Sequence, residues 1–151
     1  MVADMAHIGH VNHVIKSREL AKARSGEEVY MIVGIHSDKV VESYKRKPLF
    51  TMEERINLMA QCPGVDEILP NAPLDLTIEY LNELKIDFVC GNLMDGESES
   101  AKRYNAQYKG IIDAGRFLNV PRTEGISTTM LIQRAEARLK NETLQDALRL
   151  E

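Results

Sequence analysis

Three short apolar runs, EVYMIVGI at 28–35, VDEILP at 65–70 and IDFVC at 86–90, alternate with stretches of helical periodicity. That alternation constrains the fold more than any other feature. Each run is of strand length, and the first is rich enough in β-branched residues to be expected buried on both faces. A fourth run, RFLNVP at 116–121, follows Gly115. Strands separated by helices of roughly ten to fifteen residues make βαβ units. The expected fold class is therefore α/β, a doubly wound parallel sheet covered on both faces and joined by right-handed crossovers.

The helical patterns have recognisable ends. One begins near His10 and carries Val11, Val14, Ile15 and Leu20 on one stripe. Another opens at Thr51 with Glu54 three residues on, a capping box, and is expected to bury Ile56, Leu58 and Met59. A third spans Leu76 to Leu84, and a fourth runs from Ser100 to Ala114 and stops at Gly115. Ser127 is placed to cap a last helix through TTMLIQRAEARLK. We read residues 1–140 as one domain and 141–151 as a tail in which the last helix runs out. Two readings stay open for the final Leu150-Glu151, natural sequence or a cloning remnant. Only MVADMA precedes the first histidine, so the sheet begins with a stub or the natural protein is longer at this end.

Composition narrows the partners. A chain of 151 residues suits one domain, and 44% hydrophobic with 28% charged residues is the balance of a globular protein. The net charge of -4 gives no field to hold nucleic acid, and basic residues gather only locally, in SYKRKP and around Arg116 and Arg122. Two cysteines build neither a disulfide framework nor a four-thiolate zinc site. No apolar run reaches the ~20 residues of a membrane span, and the start lacks the features of a signal peptide. A cytoplasmic location is expected.

In a parallel α/β sheet, ligands bind beyond the carboxyl ends of the strands. The segments expected there are DMAHIGH, GIHSD, LPNAP, CGNLMDG and PRTEGIS. Within the first, HIGHVNH puts three of the four histidines in seven positions. Metal ligation would need a third ligand and a base that no nearby Cys or Glu is spaced to supply. Local capping and packing is the plainer reading. The third reading is phosphate handling: Gly9 lets the loop turn into a helix, so that His7, His10 and the free helix amides face one anion. His13 is assigned a structural role.

ADMAHIGH, GIHSD, YKRKP before TMEER, VDEILPNAP, CGN and RTEGISTT, taken in this order, resemble the cytidylyltransferase family that includes the choline-phosphate, ethanolamine-phosphate and glycerol-3-phosphate enzymes. H-x-G-H alone marks only the wider nucleotidyltransferase superfamily; RTEGISTT is far more specific. The resemblance implies a Rossmann-like sheet of nucleotidyltransferase type and transfer of CMP from CTP to an alcohol phosphate, with pyrophosphate leaving. Phosphoethanolamine or phosphocholine is the implied acceptor class, and magnesium is implied with the nucleotide. It further implies that His7, His10, Lys45 and Arg122 are catalytic. Asp4, Gly9, Lys47, Gly91, Asn92, Thr123, Gly125, Ile126, Ser127 and Thr128 would bind the nucleotide alongside Arg122. No resident metal site is implied, and a homodimer is the family's habit. His36 is read as structural.

Three departures bear on these expectations. Cys62, Pro63 and Gly64 stand where the family usually has a basic residue and an aromatic, which touches its dimer contact. Leu74 stands where choline-specific members have an aromatic, which favours phosphoethanolamine, unless Tyr104 or Tyr108 supplies a ring. Ala3-Asp4 replaces the common Phe-Asp, and Val2 replaces an earlier threonine or glycine. Asp95 or Glu97 is a candidate partner for an acceptor ammonium. A glycerol-3-phosphate or other polyol-phosphate enzyme, an adenylyltransferase of the same superfamily and a non-catalytic nucleotide-binding module are the rival readings.

Overall fold

The computed structural model describes residues 1–94, 96 and 98–149, with side chains at all of these except 100, 103 and 141–149. Asp95, Glu97, Leu150 and Glu151, to which expectations were attached, lie outside the described residues. Seven helices and four strands alternate along the described chain: α1 (Ile8–Ser25), β1 (Ile32–Ile35), α2 (Asp38–Glu42), α3 (Met52–Ala60), β2 (Glu67–Pro70), α4 (Ile78–Glu83), β3 (Val89–Gly91), α5 (Glu99–Ala106), α6 (Lys109–Asp113), β4 (Phe117–Asn119) and α7 (Thr128–Arg149). All four predicted strands are present and all pairing is parallel. The strands associate as two pairs, β1 with β2 in the register Ile32–Glu67 to Ile35–Pro70, and β3 with β4 in the register Val89–Phe117 to Gly91–Asn119. Residues before Asp4 form a stub beside β1, where the His36 N–H donates to the Met1 carbonyl at 3.1 Å.

The core joins α1 and α3 to one face of β1: Ala3, Val14, Val33, Ile35, Met59 and Cys62 pack together. Along β1 only Val33 and Ile35 are buried, while Ile32 and Gly34 are half-buried, so the expected burial on both faces is corrected to an alternation. In α1 the buried line is Val14, Ser17 and Ala21; Ile15 and Leu20, expected inside, are 40% and 38% exposed. The spacing 14, 17, 21 keeps one face of the 3.6-residue period on the sheet, and positions 15 and 20 fall off it. The capping box at Thr51 and Glu54 forms, and α3 buries Arg55 and Met59 four residues apart, whereas Leu58 is 43% exposed. The expected fourth helix is two, because the chain turns at Gln107 and Tyr108. Gly115, at φ 69°, takes the left-handed turn that ends α6, its N–H donating to the Ile112 carbonyl. The backbone of α7 continues through 140 to Arg149. Among the described residues no helix is long and apolar enough to cross a membrane.

Candidate active site

The five strand-end segments meet on one cavity of about 1050 Å³, which takes in Asp4, His7, His10, His36, Ala72, Asn92, Arg122 and Ser127 among its walls. Its most organised corner is the start of α1. His7 is the N-cap: its Nδ1 accepts the Gly9 N–H at 3.0 Å, and the Nδ1 of His10 accepts the His7 N–H at 3.1 Å. Two imidazoles thus build a reciprocal capping box of the kind usually made by Ser or Thr with Glu. The chemical consequence is a fixed tautomer. With each Nδ1 accepting, the ring proton sits on Nε2, so each histidine can donate from that atom. The rings lie 4.2 Å apart, centroid to centroid, at 50°.

Both rings are kept neutral. Burial, then the Arg122 charge, lowers the His7 pKa; burial, followed by His7, His13 and Lys45, pushes that of His10 down to about 4. Gly9 contributes space rather than a turn, correcting the expectation, since it lies inside α1. A Cβ there would sit 2.8 Å from the His7 Cε1 and 3.3 Å from the Ile126 Cγ2. The absent side chain therefore seats the His7 ring and lets the RTEGIST segment close over it.

Asp4 is buried and positions the basic loop. Its Oδ1 accepts the Leu49 and Phe50 N–H groups, each at 3.0 Å, and its Oδ2 lies 3.6 Å from Arg46. It is flanked by Ala3 and Met5 at φ 55° and 46°, left-handed conformations held by this network. Lys45 and Arg46 line the cavity and Lys47 does not. Although Lys45 stays open to solvent, its ammonium pKa is lowered, first by partial burial and then by Arg122 and Arg46.

The signature segment is stitched to the histidine end across more than a hundred residues. The Asn12 amide donates to the Thr123 hydroxyl at 3.3 Å, and the Thr128 hydroxyl donates to the Asp4 carbonyl at 2.9 Å. Ser127 caps α7 by accepting the Met130 N–H at 3.1 Å, leaving the Thr128 and Thr129 amides without an intrahelical acceptor. The Thr128 hydroxyl proton is committed to Asp4, so it is the amide at this position, not the hydroxyl, that is available to an anion. Arg122 is exposed at the rim. Gly125 lies outside the lining and supplies a left-handed turn at φ 71°.

On the β3 side, Gly91 makes room for Phe117, whose ring atoms would lie 3.1 Å from a Cβ there. The Asn92 amide donates to the Val120 carbonyl at 3.2 Å, so Asn92 braces β3 against β4 as well as facing the cavity. His36 is structural in its contacts: its Nδ1 is 2.8 Å from the Ala72 carbonyl, and burial pushes its pKa down to about 4.

Four contributors escaped sequence reasoning. Asn12 and Arg46 were hidden because their partners are distant in the chain. Arg55 is fully buried and clamps the Val2 and His36 carbonyls and the Asp38 carboxylate; a lone arginine on the apolar side of α3 was its only signal. Tyr44 lines the cavity together with Tyr104 and Tyr108, the last two packing edge to face at 5.8 Å. Burial raises the pKa of Tyr44 to about 12 and raises that of Tyr108 as well. With Tyr30 and Tyr80, five tyrosines line the cavity, so rings are present although Leu74 brings none.

The sequence profile of the cytidylyltransferase-like family matches residues 2–134. The chain belongs to that family. It is 35% identical over 136 residues to ethanolamine-phosphate cytidylyltransferase of Mus musculus, covering 87% of this chain and 30% of that protein. Choline-phosphate cytidylyltransferase 2 of Arabidopsis thaliana is 34% identical over 133 residues, covering 88% of this chain and 42% of that protein. Choline-phosphate cytidylyltransferase A of Mus musculus is 36% identical over 133 residues, with coverage of 88% and 34%. The chain thus spans less than half the length of these relatives. The crystal structure of a lipopolysaccharide core biosynthesis protein from Thermoplasma volcanium GSS1 superposes with a TM-score of 0.59 at 16% identity, over 82% of this chain and 93% of that one. This likeness supports the α/β fold of the cytidylyltransferase-like chain.

Proposed function

We propose that the protein transfers CMP from CTP to an alcohol phosphate of the phosphoethanolamine or phosphocholine class. The observation that carries this reading is the interlocked pair His7 and His10, whose Nε2–H groups are left for a ligand beside Arg122 and the amide-bearing start of α7. An oxygen of the acceptor phosphate attacks the α-phosphorus of CTP, the bond from that phosphorus to the bridging oxygen breaks, and pyrophosphate leaves with the electron pair. The protein needs to supply no nucleophile. It aligns the two substrates and meets negative charge with donors already in place. The two neutral imidazoles donate from Nε2; Arg122 grips a phosphate with its planar fork, and Lys45 adds a mobile point charge.

The donor set fits phosphate rather than a resident metal. Among the described residues no group of three or more His, Cys, Asp or Glu side chains is arranged to hold a metal ion, and the Asp4 carboxylate already accepts two backbone amides. Magnesium is proposed to enter with the triphosphate and neutralise part of its charge, with no step assigned to protein ligands. Tyr44, Tyr104 and Tyr108, three of the five tyrosines that line the cavity, favour an acceptor that carries an ammonium, which aromatic faces attract. The names of the relatives support the same acceptor class. A cytoplasmic homodimer is the proposed setting.

The test is pyrophosphate release from CTP with phosphoethanolamine, phosphocholine and glycerol-3-phosphate in turn. Release with either of the first two supports the proposal; release with glycerol-3-phosphate alone moves the acceptor class, and none above background defeats the assignment. Melting shifts with CTP and ATP check the base, a ligand at 100 times its Kd adding about 2.7 kcal/mol.

A further inference from the structure

The strap from Pro121 to Ile126 lines the cavity and carries Arg122, yet little holds it. Its ends are fixed: before it the Val120 N–H donates to the Gly91 carbonyl at 2.7 Å, and after it Ser127 caps α7. Between them Pro121 has no N–H to give, and Gly125 turns left-handed at φ 71°. Among the described residues, the one hydrogen bond that reaches the strap between these ends comes from Asn12, whose amide donates to the Thr123 hydroxyl at 3.3 Å. The placing of Arg122, exposed at the rim beside Thr123, therefore leans on this contact.

The direction of the bond carries chemistry as well. A hydroxyl has one proton and two lone pairs. Thr128 spends its proton on the Asp4 carbonyl, whereas Thr123 receives a proton from Asn12 and keeps its own. Accepting the amide fixes where the Thr123 oxygen sits and which way its remaining proton can turn. Thr123 lines the cavity and Asn12 does not, so Asn12 acts on a ligand only through its neighbour. Asn12 stands in α1 two residues beyond His10 and off the buried line of Val14, Ser17 and Ala21. The helix that aims two imidazoles thus also holds a hydroxyl from the other end of the chain.

We propose that Asn12 is a positioning residue for polyphosphate binding: by donating to Thr123 it makes that hydroxyl a preset donor to a phosphate oxygen and keeps Arg122 within reach of the same anion. This rests on the reading of the cavity as a triphosphate site, and on neither the acceptor nor the transfer step.

The experiment measures binding of inorganic tripolyphosphate to the full chain by calorimetry, which needs no acceptor and no turnover. Asn12→Ala and Thr123→Val are each expected to raise Kd by about tenfold, and the double variant by no more than either alone. Thr123→Ser keeps the hydroxyl and is expected to stay within about threefold of the parent. An unchanged Kd in either single variant, or a rise of about a hundredfold in the double, would overturn the proposal.

Asn12→Asp separates aiming from tethering. A carboxylate only accepts, so it keeps a hydrogen bond to Thr123 but draws the hydroxyl proton away from the cavity. Binding is expected to weaken by about tenfold or more while Tm stays within about 2 °C of the parent, with no further loss in the Thr123→Val background, where a bare charge effect would persist. Binding equal to the parent, or a loss that persists beside Thr123→Val, would overturn the aiming role. The expected binding pattern without pyrophosphate release from CTP would remove the transfer reaction alone. Release with independent effects at positions 12 and 123 would remove this inference alone, and no binding by the parent chain would remove both.

Discussion

The start of α1 absorbs its own free amide and imidazole acceptors, whereas the start of α7 leaves two amides for whatever enters the cavity. In α1, Gly9 N–H and His7 N–H end on imidazole Nδ1 atoms, and what faces outward is a pair of Nε2–H donors. In α7, Ser127 satisfies the Met130 amide alone, and Thr128 and Thr129 present theirs by position. One terminus orients two side chains to within a hydrogen bond; the other offers the backbone itself with the partial positive charge of a helix start. The difference teaches that a helix N-terminus can handle an anion by aiming donors or by being the donor. This cavity presents both kinds of donor.

His7→Asn separates the two roles of the first terminus and carries the largest expected effect. Asparagine is a good N-cap and can accept the Gly9 N–H, so Tm should stay within about 2 °C, while loss of the Nε2–H donor lowers kcat by about 100- to 1000-fold. A fall in kcat matched by a collapse of Tm would show that the capping box, not the donor, is what matters. Differential scanning and initial rates on one preparation decide it.

Ser127→Ala probes the second terminus and should do less. It removes one cap, costing about 1 kcal/mol, read as a drop in Tm of roughly 2–4 °C, and leaves the Thr128 and Thr129 amides in place. The KM for CTP rises only a few-fold. A loss as large as that of His7→Asn would erase the distinction between aimed and intrinsic donors.

A further expectation concerns pH. His10 and His36 have folded pKa values near about 4 against an ordinary value of 6.5, so between those limits the unfolded chain binds protons that the folded chain does not. Stability should therefore rise with pH from about 4 to about 6.5 and show no further histidine contribution above it. Because the imidazoles are neutral donors, kcat/KM should not fall as pH passes upward through 6.5. A fall there would mean that the imidazolium is the active form.

Much of the site was legible because its segments are local. The strand runs, the capping box at Thr51, the cap at Ser127 and the position of each motif beyond a strand all follow from patterns a few residues long. Ile15, Leu20 and Leu58 were misread for the same reason: an apolar residue on a helix declares its type, but only the neighbouring sheet decides which face is inside. Lys45 could not be separated from Lys47 without knowing that Asp4, buried beneath the loop, takes the Leu49 and Phe50 amides and draws Arg46 inward. Tyr44, Tyr104 and Tyr108 belong to segments sixty residues apart, and no spacing rule brings them to one wall.

The sequence by itself determined that this is a parallel α/β chain with histidines and a threonine-rich helix start at the ligand end, because hydrophobic period and capping chemistry act over three or four neighbours. Tertiary structure alone decided that Ile126 closes over position 9, and that Thr128 ties its hydroxyl to Asp4, 124 residues away. Those outcomes depend on backbone groups meeting across the fold, where direction and distance are set by packing rather than by the residues on either side.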